Sequence, residues 1–229
     1  MSPNDTEMLL ANMDEQQRLH VFQALRERYG FKIHSLERRW NTSAEAILEA
    51  IDKSADLTQR GIRGILAEAT FRTVVLPRNL SHWRETPIEG TPAYDLQLDD
   101  GRGSVRVQVK LQRKEKGIPK FFRGSTDHFV VETQRTRGGK RKDNEQSRPY
   151  RINEFDVLAV CLHPSTNEWT SFVYCAMIDL RVRMRDPNLL EVMQPIAMTG
   201  DSPWSANFDR AAERFRGFVA STGNRVVPI

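Results

Sequence analysis

Two cysteines in 229 residues leave no basis for a disulfide framework. Both Cys161 and Cys175 lie inside apolar stretches, where a thiol behaves as a small buried hydrophobe. No uninterrupted apolar run approaches the roughly 20 residues that a membrane-spanning helix needs. The opening Met1-Ser2-Pro3-Asn4-Asp5-Thr6-Glu7 has neither the basic start nor the apolar stretch of a secretion signal. These absences create the expectation of a soluble, intracellular protein with no membrane partner. A Walker-type phosphate loop is missing, which argues against NTP-driven work. His128 and His163 have no second His or Cys at ligand spacing, so neither marks a zinc site. Internal repeats and low-complexity segments are also missing.

What is present fits one good-sized globular domain, or one domain with a small appendage, since 39% of the chain is hydrophobic. The net charge of +4 is mild, but it is unevenly distributed. Residues 113–151 hold 12 Lys and Arg against 5 Asp and Glu, so the remainder of the chain is net acidic. Such a block is either a solvated loop or a surface that binds phosphates.

Periodicity sets the expected elements. Leu19, Phe22, Leu25 and Tyr29 recur at helical spacing and Gly30 follows as a C-terminal cap. Thr42-Ser43-Ala44-Glu45 reads as a capping box before a helix with Ile47, Leu48 and Ile51 as its stripe. A third helix starts near Thr58, with Ile62, Ile65, Leu66 and Ala69 on one face and Gly61, Gly64, Glu68 and Arg72 on another. The short turn around Ser54-Ala55-Asp56 leaves a helix-turn-helix reading open beside that of an ordinary helical packing unit. Pro77 to Pro92 reads as a loop.

Then the period changes to two. Tyr94 to Leu98 and Ser104 to Gln112 alternate around the turn Asp99-Asp100-Gly101-Arg102-Gly103, which predicts a β-hairpin. Val105, Val107, Val109 and Leu111 share one face of its second strand, and Arg106, Gln108, Lys110 and Gln112 share the other. Further strands are expected at His128 to Thr133, Phe155 to Leu162 and Thr170 to Cys175. The nearly all-apolar middle one suits a central position. A last helix from about Phe208 to Ala220 turns Ala211, Ala212, Phe215, Phe218 and Val219 inward. The predicted class is α/β: a mixed central β-sheet flanked by helices, with a helical N-terminal region at 1–57 packed on a core at 58–229.

The hairpin gathers chemistry. Asp95, Gln108 and Lys110 can point to one side of the sheet near its end. A hard cation such as Mg²⁺ wants oxygen ligands, which Asp95, the Val109 carbonyl, the Gln108 amide oxygen and water would supply. A neighbouring lysine would orient or help deprotonate a bound water. The plainer reading of the same alternation is a polar strand face turned to solvent.

An acidic residue opening one strand, then a hairpin, then (D/E)-x-K on the next, resembles the core of the PD-(D/E)XK nuclease superfamily, which includes many type II restriction endonucleases. The matching residues are Asp95 in Tyr94-Asp95-Leu96-Gln97-Leu98 and Gln108-Val109-Lys110 in the following strand, with Glu68 matching an upstream helical acid. Two positions depart from the pattern: Tyr94 replaces the nominal proline, and Gln108 replaces the usual acid. The second departure removes one negative charge, for which Glu68 or Asp99 would have to compensate.

The resemblance implies a restriction-endonuclease-like core and Mg²⁺-dependent hydrolysis of double-stranded DNA at a short specific sequence, leaving 5′-phosphate and 3′-hydroxyl ends. Catalysis would fall to Asp95, Gln108, Lys110 and Glu68. A homodimer in a prokaryotic cytoplasm, protected by a cognate DNA methyltransferase, is the implied setting. Within the basic block, Gln134, Arg135 and Arg137 are the expected base readers, and Arg113, Lys114, Lys120, Arg123, Lys140 and Arg141 the expected phosphate contacts. A structure-specific or repair nuclease of the same superfamily, a degenerate site that binds without cutting, and a non-catalytic helix-turn-helix regulator remain the alternatives.

Overall fold

The computed structural model of the chain describes residues 3–135, 149–197 and 203–223. The chain divides into two compact units, Met1–Gln59 and Arg60–Ile229. No helix among the described residues is long and apolar enough to cross a membrane.

The first unit is helical: α1 (Pro3–Ala11), α2 (Glu15–Tyr29), α3 (Ser35–Arg39) and α4 (Ala44–Asp52). Gly30 caps α2 in the left-handed region at φ 62°, as the sequence predicts. The expected capping box at Thr42 does not form. Ser43 is the N-cap and accepts from the Ala46 N–H at 3.2 Å, while Glu45 pairs with Arg26 at 2.6 Å. Among the described residues of this unit, the one buried residue is Glu37. Burial alone would raise its carboxyl pKa, but the N–H groups of His34, Ala44 and Ile33 and the Arg26 guanidinium outweigh it and hold the pKa at about 2.

Helix α5 (Asp56–Thr70) runs into a π-helical turn, Phe71–Val75, and then α6 (Leu76–Asn79). The face expected inward is not the one that is buried: Ile65 and Leu66 are exposed, whereas Ala67, Phe71 and Val75 are covered. The isoleucines suggest the wrong stripe because small Ala67, which lets the helix approach closely, carries little weight in a hydrophobicity pattern. The expected loop at 77–92 also holds a strand, β1 (Arg84–Thr86). Its exposed Arg84 and Glu85 give an edge strand no hydrophobic alternation to read.

The remaining strands are β2 (Leu96–Asp99), β3 (Ser104–Leu111), β4 (Lys114–Glu115), β5 (Ile118–Pro119), β6 (His128–Glu132), β7 (Val157–Cys161), β8 (Phe172–Ala176) and β9 (Met193–Ala197). Five make a mixed central sheet in the order β1-β2-β3-β7-β8, with β3 and β7 parallel and the other neighbours antiparallel. Short α7 (His163–Thr166) leads from β7 toward β8, and α8 (Phe208–Thr222) closes the described chain. The architecture is α/β, with a central mixed sheet flanked by helices. β6 and β9 pair as a separate antiparallel ribbon.

The sheet is covered on both faces. Val105, Val107 and Val109 join Phe71, Leu76, Phe208 and Ala212 in one core, and Leu158 and Val160 of β7 join Tyr150, Phe155, Ile196 and Phe215 in another. Register places Gln108 beside Leu158 and Lys110 beside Val160. The polar side of β3 therefore looks into the second core, and Gln108 is buried at 3% exposure. A solvent-facing polar strand is excluded as the explanation of this alternation.

At the start of that side, Arg106 forms an ion pair with fully buried Asp156 at 2.6 Å, and Asp156 also accepts from the Arg106 N–H at 2.8 Å. Asp156→Ala should destabilise the protein by about 3–5 kcal/mol, because it strands a partly covered guanidinium. Urea unfolding midpoints would show it, and a loss under about 1 kcal/mol would mean that the pair is not holding β3 to β7.

Candidate functional site

Asp95 immediately precedes β2, and its N–H donates to the Val107 carbonyl at 2.9 Å, so the hairpin pairing extends one residue beyond the strand. That placement lays its carboxylate across β3. Oδ2 accepts from the Val109 N–H at 2.8 Å and from the Gln108 side-chain amide. The same Gln108 Nε2 donates to the Val109 carbonyl at 3.2 Å. Asp95, Gln108 and Lys110 line one cavity of about 220 Å³ together with Pro92, Ala93, Arg135 and Tyr150. The Lys110 ammonium rests 5.3 Å from the centre of the Tyr150 ring.

Burial dominates the electrostatics. It pushes the Asp95 carboxyl up to about 6, despite the opposing Lys110 charge and the Val109 N–H, and the Glu68 charge adds to the rise. Burial also pushes the Lys110 ammonium below the usual lysine range, an effect that the charges of Asp95 and Glu68 partly offset. The Tyr150 phenol is raised by burial and then by the Asp95 charge, so its ring stays a neutral surface.

Whether a cation fits can be judged from the donor set. Among the described residues no group of three or more His, Cys, Asp or Glu could hold a metal ion. A site must therefore draw on backbone and amide oxygens. The Asp95 carboxylate and the Val109 carbonyl both accept from the Gln108 amide nitrogen, so two oxygens of the kind a hard cation takes are turned toward one point. In donor chemistry they fit such a cation. Gln108 differs from expectation in that its nitrogen, not its oxygen, faces this point. Rotation about its terminal torsion, which is broad and roughly two-fold, exchanges the two.

Glu68 stands outside the cavity lining. It pairs with Arg72 at 3.0 Å, and Arg72 in turn donates to the Asp95 carbonyl at 3.0 Å and to Glu85 at 3.0 Å. Asp99 cannot supply the missing charge, because it sits at the far end of β2 and caps the turn through the Gly101 N–H at 2.7 Å and the Ser104 hydroxyl at 3.0 Å.

The basic block is distributed more widely. Arg113 pairs with Glu132, Lys120 pairs with Glu115 at 2.9 Å, and Lys114 and Arg123 are exposed. Gln134 donates to the Glu132 carboxylate. Arg137, Lys140 and Arg141 lie outside the described residues. Arg135 lines the cavity itself.

No family model and no curated protein matches the chain. Among solved structures it is similar to a bacterial homing endonuclease, I-Ssp6803I, at 18% identity and a TM-score of 0.38, over 71% of this chain and 95% of that one. The chemistry of the site rests on its own geometry.

Tyr150 and Arg72 belong to that geometry and were not singled out by sequence. Arg72 was legible as an i,i+4 partner of Glu68. Tyr150 reaches the cavity because the chain at Pro149 bridges to Gln134, a pairing no local pattern announces.

A carboxylate held at about 6 favours its protonated form relative to the unfolded chain, at 3.8, so stability is lost as pH rises through that interval. At pH 7 the cost is up to about 3 kcal/mol. Asp95→Asn should therefore melt several degrees above wild type at pH 7, with the gap closing toward pH 4. Equal midpoints at pH 7 would show that the carboxylate is not desolvated.

Proposed function

We propose that the chain is a Mg²⁺-dependent deoxyribonuclease of the PD-(D/E)XK type, cutting duplex DNA at a short specific sequence as type II restriction endonucleases do. One observation carries the reading: Asp95, Gln108 and Lys110 converge on a single cavity from the hairpin, on a sheet face that is otherwise covered. Gln108 is buried and Asp95 and Lys110 are half-buried beside it, a costly placement for three polar groups without a chemical role.

Asp95 and the Val109 carbonyl would hold Mg²⁺, with the Gln108 amide turned oxygen-inward as a third protein ligand. The chemistry such an ion would supply at these residues is Lewis-acid activation of water and neutralisation of phosphate charge. Lys110 binds a non-bridging oxygen of the scissile phosphate and orients the attacking water through its N–H groups. Arg72 fixes the Asp95 backbone from behind, and Glu68 acts through Arg72 or the surrounding water. The covered floor around Gln108 limits the water that reaches these groups, which strengthens their interactions. The water oxygen bonds to phosphorus as the bond to the 3′ oxygen breaks; the water gives up a proton to solvent and the 3′ oxygen takes one from solvent, leaving 5′-phosphate and 3′-hydroxyl ends. Two active sites cut two strands, which favours a homodimer on a palindromic or near-palindromic target. A cognate methyltransferase would protect the host's own DNA.

The test is digestion of plasmid DNA in Mg²⁺. Discrete fragments are expected, and Asp95→Ala and Lys110→Ala should each lower the rate by at least about 10²–10⁴-fold with the circular dichroism spectrum unchanged. Cleavage confined to branched or damaged substrates would point to a repair nuclease, and binding that survives chelator without nicking to a DNA-binding regulator. Wild-type rates in either variant would remove the site.

Gln108→Glu restores an acid beside Asp95 and should tighten Mn²⁺ binding in the DNA-free protein about tenfold or more, read by calorimetry. Unchanged affinity would place the cation elsewhere.

A further inference from the structure

The cavity contains a second cation that the sequence pattern places elsewhere. Arg135 follows β6, where the chain is held by the Thr133 N–H donating to the Val192 carbonyl at 2.7 Å and by the bridge from Gln134 to Pro149. These pairings bring residues 133–135 alongside 149–151 and set the Arg135 guanidinium against the Tyr150 ring, 5.9 Å from its centre. The Lys110 ammonium lies against the same ring at 5.3 Å. One neutral aromatic thus serves as a common surface for two like charges, and its negative face offsets part of their repulsion. Glu154 holds Arg135 in place at 2.5 Å and itself accepts from the Arg151 N–H at 3.1 Å.

We propose that Arg135 is a phosphate ligand of the active site, gripping the scissile phosphodiester together with Lys110, and not a reader of base edges. The inference rests on the nuclease reading and deepens it. A group that reaches Asp95 and Lys110 inside about 220 Å³ is within reach of Arg135, because all three line that space. The part of a nucleic acid that enters such a space is its phosphodiester, since a base edge read in the major groove stays outside it. A guanidinium adds what an ammonium lacks, a planar fork that matches two phosphate oxygens at once. Glu154 and the Tyr150 ring hold that fork at the cavity wall.

The experiment measures cleavage by wild type, Arg135→Ala and Arg135→Lys on DNA with an ordinary or a stereodefined phosphorothioate linkage at the cut position. Arg135→Ala should lower kcat about 10²-fold on every sequence that the wild type cuts, with the cut positions unchanged. Arg135→Lys, which keeps the pair with Glu154, should fold like wild type and recover part of the loss. Sulfur at the contacted oxygen should slow the wild type more than it slows Arg135→Ala, a loss of sensitivity that a merely structural arginine would not produce. If Arg135→Ala changes which sequences are cut while kcat holds, Arg135 reads bases and the proposal is wrong. Equal sulfur effects in both proteins would overturn it as well. A wild type that leaves DNA intact in Mg²⁺ and Mn²⁺ would fail the nuclease reading and this inference with it, whereas an active wild type matched by Arg135→Ala would fail the inference alone.

Discussion

Everything around the cavity follows from one constraint: the polar side of β3 is largely covered, with Gln108 and Gln112 buried and Arg106 and Lys110 half-buried, so its side chains look for partners inside the protein. Arg106 finds Asp156, Gln108 finds Asp95, and Gln112 accepts from the Ser165 hydroxyl at 2.8 Å. Lys110 faces the Tyr150 ring and the field of Asp95. Arg106 and Gln108 are settled by partners of matching kind, whereas the buried Gln112 Nε2 is left without one. Lys110 has an aromatic surface and a charge across a cavity, an environment that holds a cation without consuming its donors.

The same burial unites fold and chemistry. A carboxylate and an ammonium brought close in water favour each other's charged form; under this cover desolvation outweighs that attraction, so Asp95 rises and Lys110 falls. The protein gives up stability to keep them there, as sites with a function commonly do. Arg72 shows how the strain is contained. It ties the Asp95 backbone to α5 through Glu68 and to β1 through Glu85, so the carboxylate stands on three elements and not on a loose strand end.

How much of this was legible in the sequence depended on range. The hairpin, the central β7 and the last helix were plain, because alternation and apolar runs report local burial directly. The convergence of Asp95, Gln108 and Lys110 followed from strand period alone. What the pattern could not show was that the polar side is covered, since that depends on the ribbon of β6 and β9 and on Tyr150, which come from far along the chain. The buried stripe of α5 is not legible in the sequence, because hydrophobic patterning weights large residues and Ala67 contributes by being small. Arg135 looked like part of a basic run, and only the pairing of Gln134 with Pro149 turns it inward.

The parallel pairing of β3 with β7 forces the chain to travel back across the sheet between residues 111 and 157. Such a return needs about a dozen residues, and this one is several times longer. The excess forms the β4–β5 hairpin, one strand of the outer ribbon and a wall of the cavity. A minimal protein with this five-stranded sheet would keep Asp95, Gln108 and Lys110 but without Arg135 and Tyr150 beside them, so this partial cover is a product of surplus connection and not of the sheet.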